Sequence, residues 1–274
     1  MDLAHSHKVF VETHEDYVRG GKRERSRWLD DMKGAEVRSR LVVTHLNRYF
    51  RDDVSHCTPA LKFLRLLLSL AATFSSVGAV HDYIIAIHDV SVAFFNGVAS
   101  ELTWVKFPDG LLKPKHWARL LKAMNGTREA SRRWGEAVSR CMLADGARKL
   151  VTVPMLFWHP VRRCFTYIWG DDFITAGSPQ AIDQLDEMLG KSFLTRMVAR
   201  IGPGFAATGQ ILNRHIGWTT QGFVYHADPK HVETLKENVE LSDDCKAPPT
   251  PCSKDTGKNM REAEDLLDAA SQAT

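Results

Sequence analysis

Between residues 165 and 176 an apolar run is interrupted by two adjacent acids, Asp171 and Asp172. Phe165-Thr166-Tyr167-Ile168-Trp169 and Phe173-Ile174-Thr175-Ala176 are rich in aromatic and β-branched residues, which predicts two strands, with Gly170 marking the turn between them. Upstream, "YIIAIHDVSVAFFNG" (83–97) predicts a strand ending in Asp89 and an aromatic turn closed by Asn96-Gly97. "ELTWVKFPDG" (101–110) predicts a short strand stopped by Pro108-Asp109-Gly110. "ILNRHIGW" and "FVYHA" flank Thr219 to Gly222 and predict a further hairpin.

Other stretches carry helical spacing. Leu61, Leu64, Leu68 and Ala71 predict a buried amphipathic helix over 61–74; Lys62 and Arg65 interrupt the run, which is too short to span a bilayer. "TREASRRWGEAVSRCML" (127–143) carries the stripe Trp134, Ala137, Val138, Cys141 and Met142. Ser178-Pro179 reads as the cap and first turn of a helix with Ile182, Leu185 and Leu189 on its apolar face, and Asp228-Pro229 starts a last helix. Ser242 to Lys258 has linker composition, and 260–270 reads as a short helix. No internal repeat and no glycine-rich phosphate loop appears.

Composition narrows this little. The 274 residues are 44% hydrophobic and 25% charged, ordinary for a globular protein with a real core. Cys57, Cys141, Cys164, Cys245 and Cys252 are odd in number and form no Cys-x-x-Cys pair, which speaks against a zinc site or disulfide framework and for a reducing compartment. The polar N-terminus carries no apolar leader, so the expected location is intracellular, cytoplasmic or nuclear, with no membrane partner. The net charge of +3 and pI near 8.6 are compatible with a polyanionic partner without requiring one. Basic residues crowd 19–26, read as a solvated face or arm, and Arg128, Arg132 and Arg133 crowd the start of the helix at 127–143, where its dipole favours acids.

The chemical signal is acidic. Asp89 ends one apolar strand, and Asp171 and Asp172 sit in the turn of an apolar hairpin. If those strands are neighbours, three carboxylates converge, repel and raise one another's pKa. Hard divalent cations relieve that, and carboxylate oxygens suit Mg²⁺. Taken singly, each Asp also reads as a turn former or plain surface residue.

The wording around these residues resembles the reverse transcriptases of copia-type long-terminal-repeat retrotransposons. "VRSRLVV" (37–43) is similar to a fingers segment of that family and "TPALKFLRLLLSLAA" (58–72) to its apolar helix. "IHDVSVAFFNG" (87–97) resembles its Asp-Val-x-x-Ala-Phe-Leu-Asn-Gly block, and "LLKAMNGTREASRRW" (120–134) its Leu-Tyr-Gly-Leu-Lys-Gln-Ala-Pro-x-x-Trp block. "YIWGDDF" (167–173) stands where its Tyr-x-Asp-Asp box is expected, followed by "RHIGWTTQGFVYHADPKHVETL" (214–235) and "PPTP" (248–251). The blocks occur in the family's order across most of the chain.

The resemblance implies an α+β fold: a right-hand polymerase palm, an antiparallel sheet backed by helices, with partial fingers. It implies a charged, poorly ordered arm over 1–36, partial fingers over 37–80, a palm over 81–241, and a Pro-rich linker with a short helical tail over 242–274. It implies an RNA-directed DNA polymerase, a nucleotidyltransferase using two Mg²⁺ ions (Mn²⁺ as substitute) on Asp89, Asp171 and Asp172. Asp89 and Asp171 are the first ligands expected, because adjacent residues point to different faces. Arg40, and with it Arg38, matches the position that grips the incoming triphosphate. Phe94 matches the residue beneath the incoming sugar, where a ring excludes a 2′-hydroxyl. Asn125 and Gly126 fall where backbone approaches the templating base pair. Implied partners are an RNA or DNA template–primer, deoxynucleoside triphosphates and other parts of a Pol polyprotein.

Some positions depart from the family. Trp169 and Gly170 replace the usual Tyr-x, Asn125 a Tyr, Glu129 a Gln and Ser131 a Pro, and Glu129 would repel a template phosphate. The fingers region is abbreviated, and the chain stops where the family continues toward connection and RNase H regions, the pattern expected of a domain cut from a polyprotein or a remnant of an old insertion. Two further readings stay open: a truncated, inactive palm-fold remnant that only binds nucleic acid, and an RNA-templated RNA polymerase suggested by Gly-Asp-Asp, against which Phe94 and the other blocks argue.

Overall fold

The computed structural model describes residue 4 and residues 6–44, 58–76 and 83–240. The expected linker over 242–258, the helix over 260–270 and "PPTP" lie outside the described residues. The chain divides into a unit of residues 1–226 and a second of residues 227–274.

In the first unit, a six-stranded antiparallel sheet forms around the predicted hairpin. Its order is β11 (Thr195–Ile201), β4 (Ile84–Val90), β10 (Asp172–Gly177), β9 (Cys164–Trp169), β8 (Leu156–His159) and β7 (Arg148–Lys149). Its central strands are buried on both faces, so β4 reads as a nearly continuous apolar run rather than an alternating one. On one face the helix α1 (Lys62–Ser76) sets Leu64, Leu67 and Leu68 against Ile85, Ile87, Tyr167 and Ile174. On the other, α2 (Ala130–Ala144) and α3 (Pro179–Ser192) bring Trp134, Val138, Met142, Leu185 and Leu189 onto Val90, Ile168 and Phe173. As its sequence predicts, α3 is capped by Ser178, whose hydroxyl accepts the Ala181 N–H at 3.3 Å, with Pro179 in the first turn.

A second, five-stranded sheet has the order β1 (Phe10–His14), β6 (His116–Leu120), β5 (Thr103–Lys106), β2 (Lys22–Lys33) and β3 (Glu36–Val43). It corrects two expected boundaries. Residues 10–14 and 22–33, expected in a poorly ordered arm, are strands, because paired backbone and a buried inner row that includes Val105, Ala118 and Leu120 hold them in place. β5 and β6, expected within the palm, pair with the N-terminal strands instead: β5 runs parallel to β2, and β6 antiparallel to β1.

A three-stranded sheet, β12 (Thr208–Ile211), β13 (Arg214–Thr219) and β14 (Gly222–Ala227), contains the hairpin expected around 219–222. In the second unit, the described residues form the helix α4 (Lys230–Asn238), beginning just after Asp228-Pro229 as its sequence predicts.

Candidate active site

The hairpin of β9 and β10 closes through a two-residue loop, Gly170-Asp171, with Trp169 paired to Asp172. Gly170 sits at φ +62°, a conformation a Cβ disfavours. Two hydrogen bonds hold the loop: the Val90 N–H donates to the Asp171 carbonyl at 2.9 Å, and the indole N–H of fully buried Trp134 donates to the Gly170 carbonyl at 2.6 Å. Trp134 therefore does more than fill the helix core, the role its sequence position suggested.

β10 pairs with β4 so that Asp172 lies directly opposite Asp89, and β11 pairs with β4 so that Arg196 lies opposite Asp89 from the other side. Directly paired residues share a face of a sheet. Trp169, Asp172, Asp89 and Arg196 thus form one row across four strands, on the face that carries α1 further along. The register favours Asp172 as the neighbour of Asp89, where sequence reasoning placed Asp171 first. The reason is the short loop, which places Asp171 in the turn itself, exposed to solvent.

Like charges set directly opposite repel. Partial burial, with the Asp171 and Asp89 charges adding, pushes the Asp172 carboxyl up to about 6. Among the described residues, the ion-pair partner of Asp89 is Arg196, whose Nη2 lies 3.9 Å from Asp89 Oδ2 and whose side chain is largely exposed. Among the described residues, no three His, Cys, Asp or Glu side chains are gathered into a metal-holding group. A bare pair with a third carboxylate in the adjoining turn still fits magnesium, which keeps much of its water and is bound through one or two carboxylates plus substrate phosphates.

Beside Asp89, His88 is fully buried on the opposite face, and neither ring nitrogen forms a hydrogen bond. Its Nε2 lies 3.3 Å from Asp186 Oδ1 of α3. Burial holds the His88 pKa below its ordinary value, against the pull of Asp186. No sequence signal marked His88 or Arg196.

The other expected residues fall as follows. Phe94 lies in a 3-10 turn over Ala93–Asn96, half-buried against the α2 core, while Phe95 packs against the core of the five-stranded sheet. That turn is entered through Val92 at φ 49°, a strained setting for a β-branched residue just past Asp89. Arg40 is half-buried and Arg38 exposed, on one face of β3. The Asn125 carbonyl accepts the Val43 N–H at 2.8 Å, and Gly126, at φ +86°, brings its backbone against Val43, whose carbonyl would lie 2.1 Å from a Cβ there. The close approach that the structure shows at Gly126 is to β3. Glu129 is engaged by Ser100 and by Arg133 Nε at 3.0 Å, and Arg133 also meets Glu136 at 2.8 Å. Glu129 and Glu136 therefore answer Arg133 at the start of α2.

The site is open. A concavity of about 510 Å³ beside α2 and α3 is lined by Arg140, Cys141, Met188 and Phe193, and none of the three carboxylates borders it. Among the described residues no helix is long and apolar enough to cross a membrane.

No protein-family model and no curated protein matches the chain. Among solved structures, it is similar to telomerase from Candida albicans in complex with a fragment of telomeric RNA, with TM-score 0.51 and 10% identity over 88% of this chain and 54% of that one. Apo telomerase from Candida tropicalis, truncated of its C-terminal domain, gives TM-score 0.41 and 10% identity over 81% and 58% of the two chains. The Candida albicans likeness is one of fold, and it makes this chain a mixed α/β protein of polymerase-like architecture. The chain spans about half the length of these telomerases.

Proposed function

We propose that this chain is the reverse-transcriptase domain of a copia-type retrotransposon, an RNA-directed DNA polymerase. The observation that carries the reading is the apposition of Asp89 and Asp172 on adjacent central strands, with Asp171 in the adjoining turn, within a polymerase-like fold. A cluster in which burial and like charge push a carboxyl up to about 6 is a poor structural device and a good cation site.

In this reading Asp89 and Asp172 would hold the metal pair, together with Asp171 of the adjoining turn. Two magnesium ions, when bound, would supply charge neutralisation at the attacking and leaving oxygens of an in-line phosphoryl transfer. The primer 3′-hydroxyl gives up its proton to solvent as its oxygen bonds to the α-phosphorus of a deoxynucleoside triphosphate, the α–β bridge breaks, and pyrophosphate leaves. The chain's own work is positioning. Trp134 and the Val90 amide fix the turn that aims Asp171, and Arg196 faces Asp89. Arg40 and Arg38 take the triphosphate, Phe94 packs beneath the sugar, and Asn125 and Gly126 lie beside the templating base. Template, deoxynucleotides and other Pol segments are its partners.

Primer extension on a poly(A)–oligo(dT) template with Mg²⁺ and then Mn²⁺ tests the reading. Extension by the wild type, abolished in Asp89→Asn and Asp172→Asn, is the expected result. Salt-sensitive template binding without extension under either metal would instead establish a nucleic-acid binder that has lost the chemistry.

A further inference from the structure

At the edge of the five-stranded sheet, β1 pairs antiparallel with β6 from Phe10↔Leu120 to His14↔His116, so the last pair sets two histidines directly opposite each other. Directly paired residues share a face, and along β6 that face continues through Ala118 and Leu120 into the core. It is the opposite face from the one carrying Arg40, which the pairings of β3, β2, β5 and β6 connect to Arg119. The His14 and His116 rings meet edge to face, with centroids 5.1 Å apart. Both remain partly exposed at the rim of the sheet. The polymerase reading uses neither of them.

Each ring has an oxygen at its Nδ1. His116 Nδ1 lies 2.8 Å from the Pro114 carbonyl, which can only accept, so in the neutral ring that nitrogen carries the proton and Nε2 is the free base. His14 Nδ1 lies 3.1 Å from Asp16 Oδ2, with the Asp16 amide farther off at 3.4 Å. A metal-bound histidine is typically oriented this way, its Nδ1–H on a carboxylate or carbonyl and its Nε2 turned to the ion. Among the described residues neither Nε2 makes a hydrogen bond. The surrounding backbone is tied down as well. The Glu15 N–H donates to the Lys115 carbonyl at 2.8 Å, and the Lys113 N–H donates to Glu12 Oε1 at 2.6 Å. Both rings are thus placed before an ion arrives, which cuts the ordering cost of binding one.

We propose that His14 and His116 form a metal site for a borderline divalent transition-metal ion, Zn²⁺ in the first instance, which clips the edge strand β1 to β6. Each imidazole supplies its Nε2, and Asp16 and the Pro114 carbonyl hold the rings from behind. Among the described residues no group of three His, Cys, Asp or Glu side chains is gathered for a metal, so water completes the coordination. Imidazole suits Zn²⁺, Ni²⁺ or Cu²⁺, whereas Mg²⁺ takes oxygen ligands. The site therefore differs in chemistry as well as in place from the carboxylate row, and it does not depend on the polymerase reading. Without a metal, the two rings make only an edge-to-face packing contact, one that a pair of phenylalanines would make as well.

The test is a Zn²⁺ titration of the whole chain in metal-free buffer, followed by calorimetry and by ¹H–¹⁵N spectra of the histidine rings. The wild type is expected to show a site whose filling moves the Nε2 resonances of His14 and His116 and leaves both Nδ1 atoms protonated. Zn²⁺ should also raise its melting temperature, since the ion is held by the folded state. His14→Asn and His116→Asn, each deleting a ligand, should each abolish that site, and Asp16→Asn should weaken it about tenfold. The double variant His14→Phe/His116→Phe keeps a ring pair, so it should melt near the wild type in EDTA and lose the Zn²⁺ increment. Asp89→Asn/Asp172→Asn should leave the histidine site intact whether or not the chain extends a primer, and Mg²⁺ should leave the histidine resonances unmoved. Zn²⁺ binding undiminished in both single histidine variants would overturn the proposal and place the ion on the cysteines or the carboxylate row. So would loss of binding on removal of one histidine but not the other, or a phenylalanine pair that keeps the whole Zn²⁺ increment.

Discussion

At the scale of single residues, the candidate site depends on contacts that place carboxylates rather than on the carboxylates alone. Trp134 packs edge-on against Phe193, with ring centroids 5.0 Å apart, and against Phe173 at 6.3 Å, while its N–H reaches the Gly170 carbonyl. Trp134→Phe keeps an aromatic ring and deletes that one donor. The expected cost is about 1–2 kcal/mol, from the lost hydrogen bond and the smaller ring. The sharper expectation is local: amides of the Gly170-Asp171 loop should exchange with solvent faster in the variant than those of mid-strand β4. Uniform acceleration across the sheet would mean that Trp134 is core filling and nothing more. If extension is detected, the same variant should lower kcat more than it weakens template–primer binding, because the loop carries Asp171 and none of the residues proposed to hold the triphosphate or the templating base.

At the scale of elements, what the sequence disclosed follows from how far its signals reach. The hairpin of β9 and β10, the strand carrying Asp89, the helix α1 and the capped helix α3 each announce themselves within a dozen residues, through runs of aromatic and β-branched residues, helical spacing or a Ser-Pro start. Pairing is not local. Nothing in "KRERSR" shows that Arg25 lies beside Lys106, a parallel neighbour with the whole of α1 and β4 in between, so a strand read as an arm. The order of β11, β4 and β10 was equally hidden, and with it the pairing of Asp89 with Asp172 on one side and Arg196 on the other. Gly126 marks a join between elements, where the loop before α2 meets the end of β3. Gly126→Ala sets a Cβ against the Val43 carbonyl in addition to the strain of φ +86°. Gly110 has the same φ and open space around it. Thermal melts of the two alanine variants should therefore diverge: about 1 kcal/mol lost at Gly110 from strain alone, and about 3 kcal/mol or more at Gly126. Equal losses would mean that the β3 contact yields easily.

At the scale of the whole molecule, the carboxylate row sets stability against cation binding. A polymerase-like fold with opposed acids on its central strands is less stable empty than it needs to be, because the acids repel wherever both are ionised. The sign follows from the direction of the shift. A carboxyl whose folded pKa is raised disfavours folding at pH values above that pKa, so at pH 7.5, above the value of about 6 for Asp172, the cost is present. Asp172→Asn removes it. Allowing for the solvent that screens this partly exposed group, the gain is about 1 kcal/mol, or roughly 2–3 °C in melting temperature for a chain of this size. That gain should be seen in EDTA. Millimolar Mg²⁺ or Mn²⁺ should then raise the melting temperature of the wild type, since a ligand that binds only the folded state stabilises it, and should leave Asp172→Asn nearly unmoved. The order of stability of the two proteins would narrow or invert as metal is added. A variant no more stable than wild type in EDTA, or a metal shift of equal size in both, would remove the carboxylate row as a cation site whatever the fold.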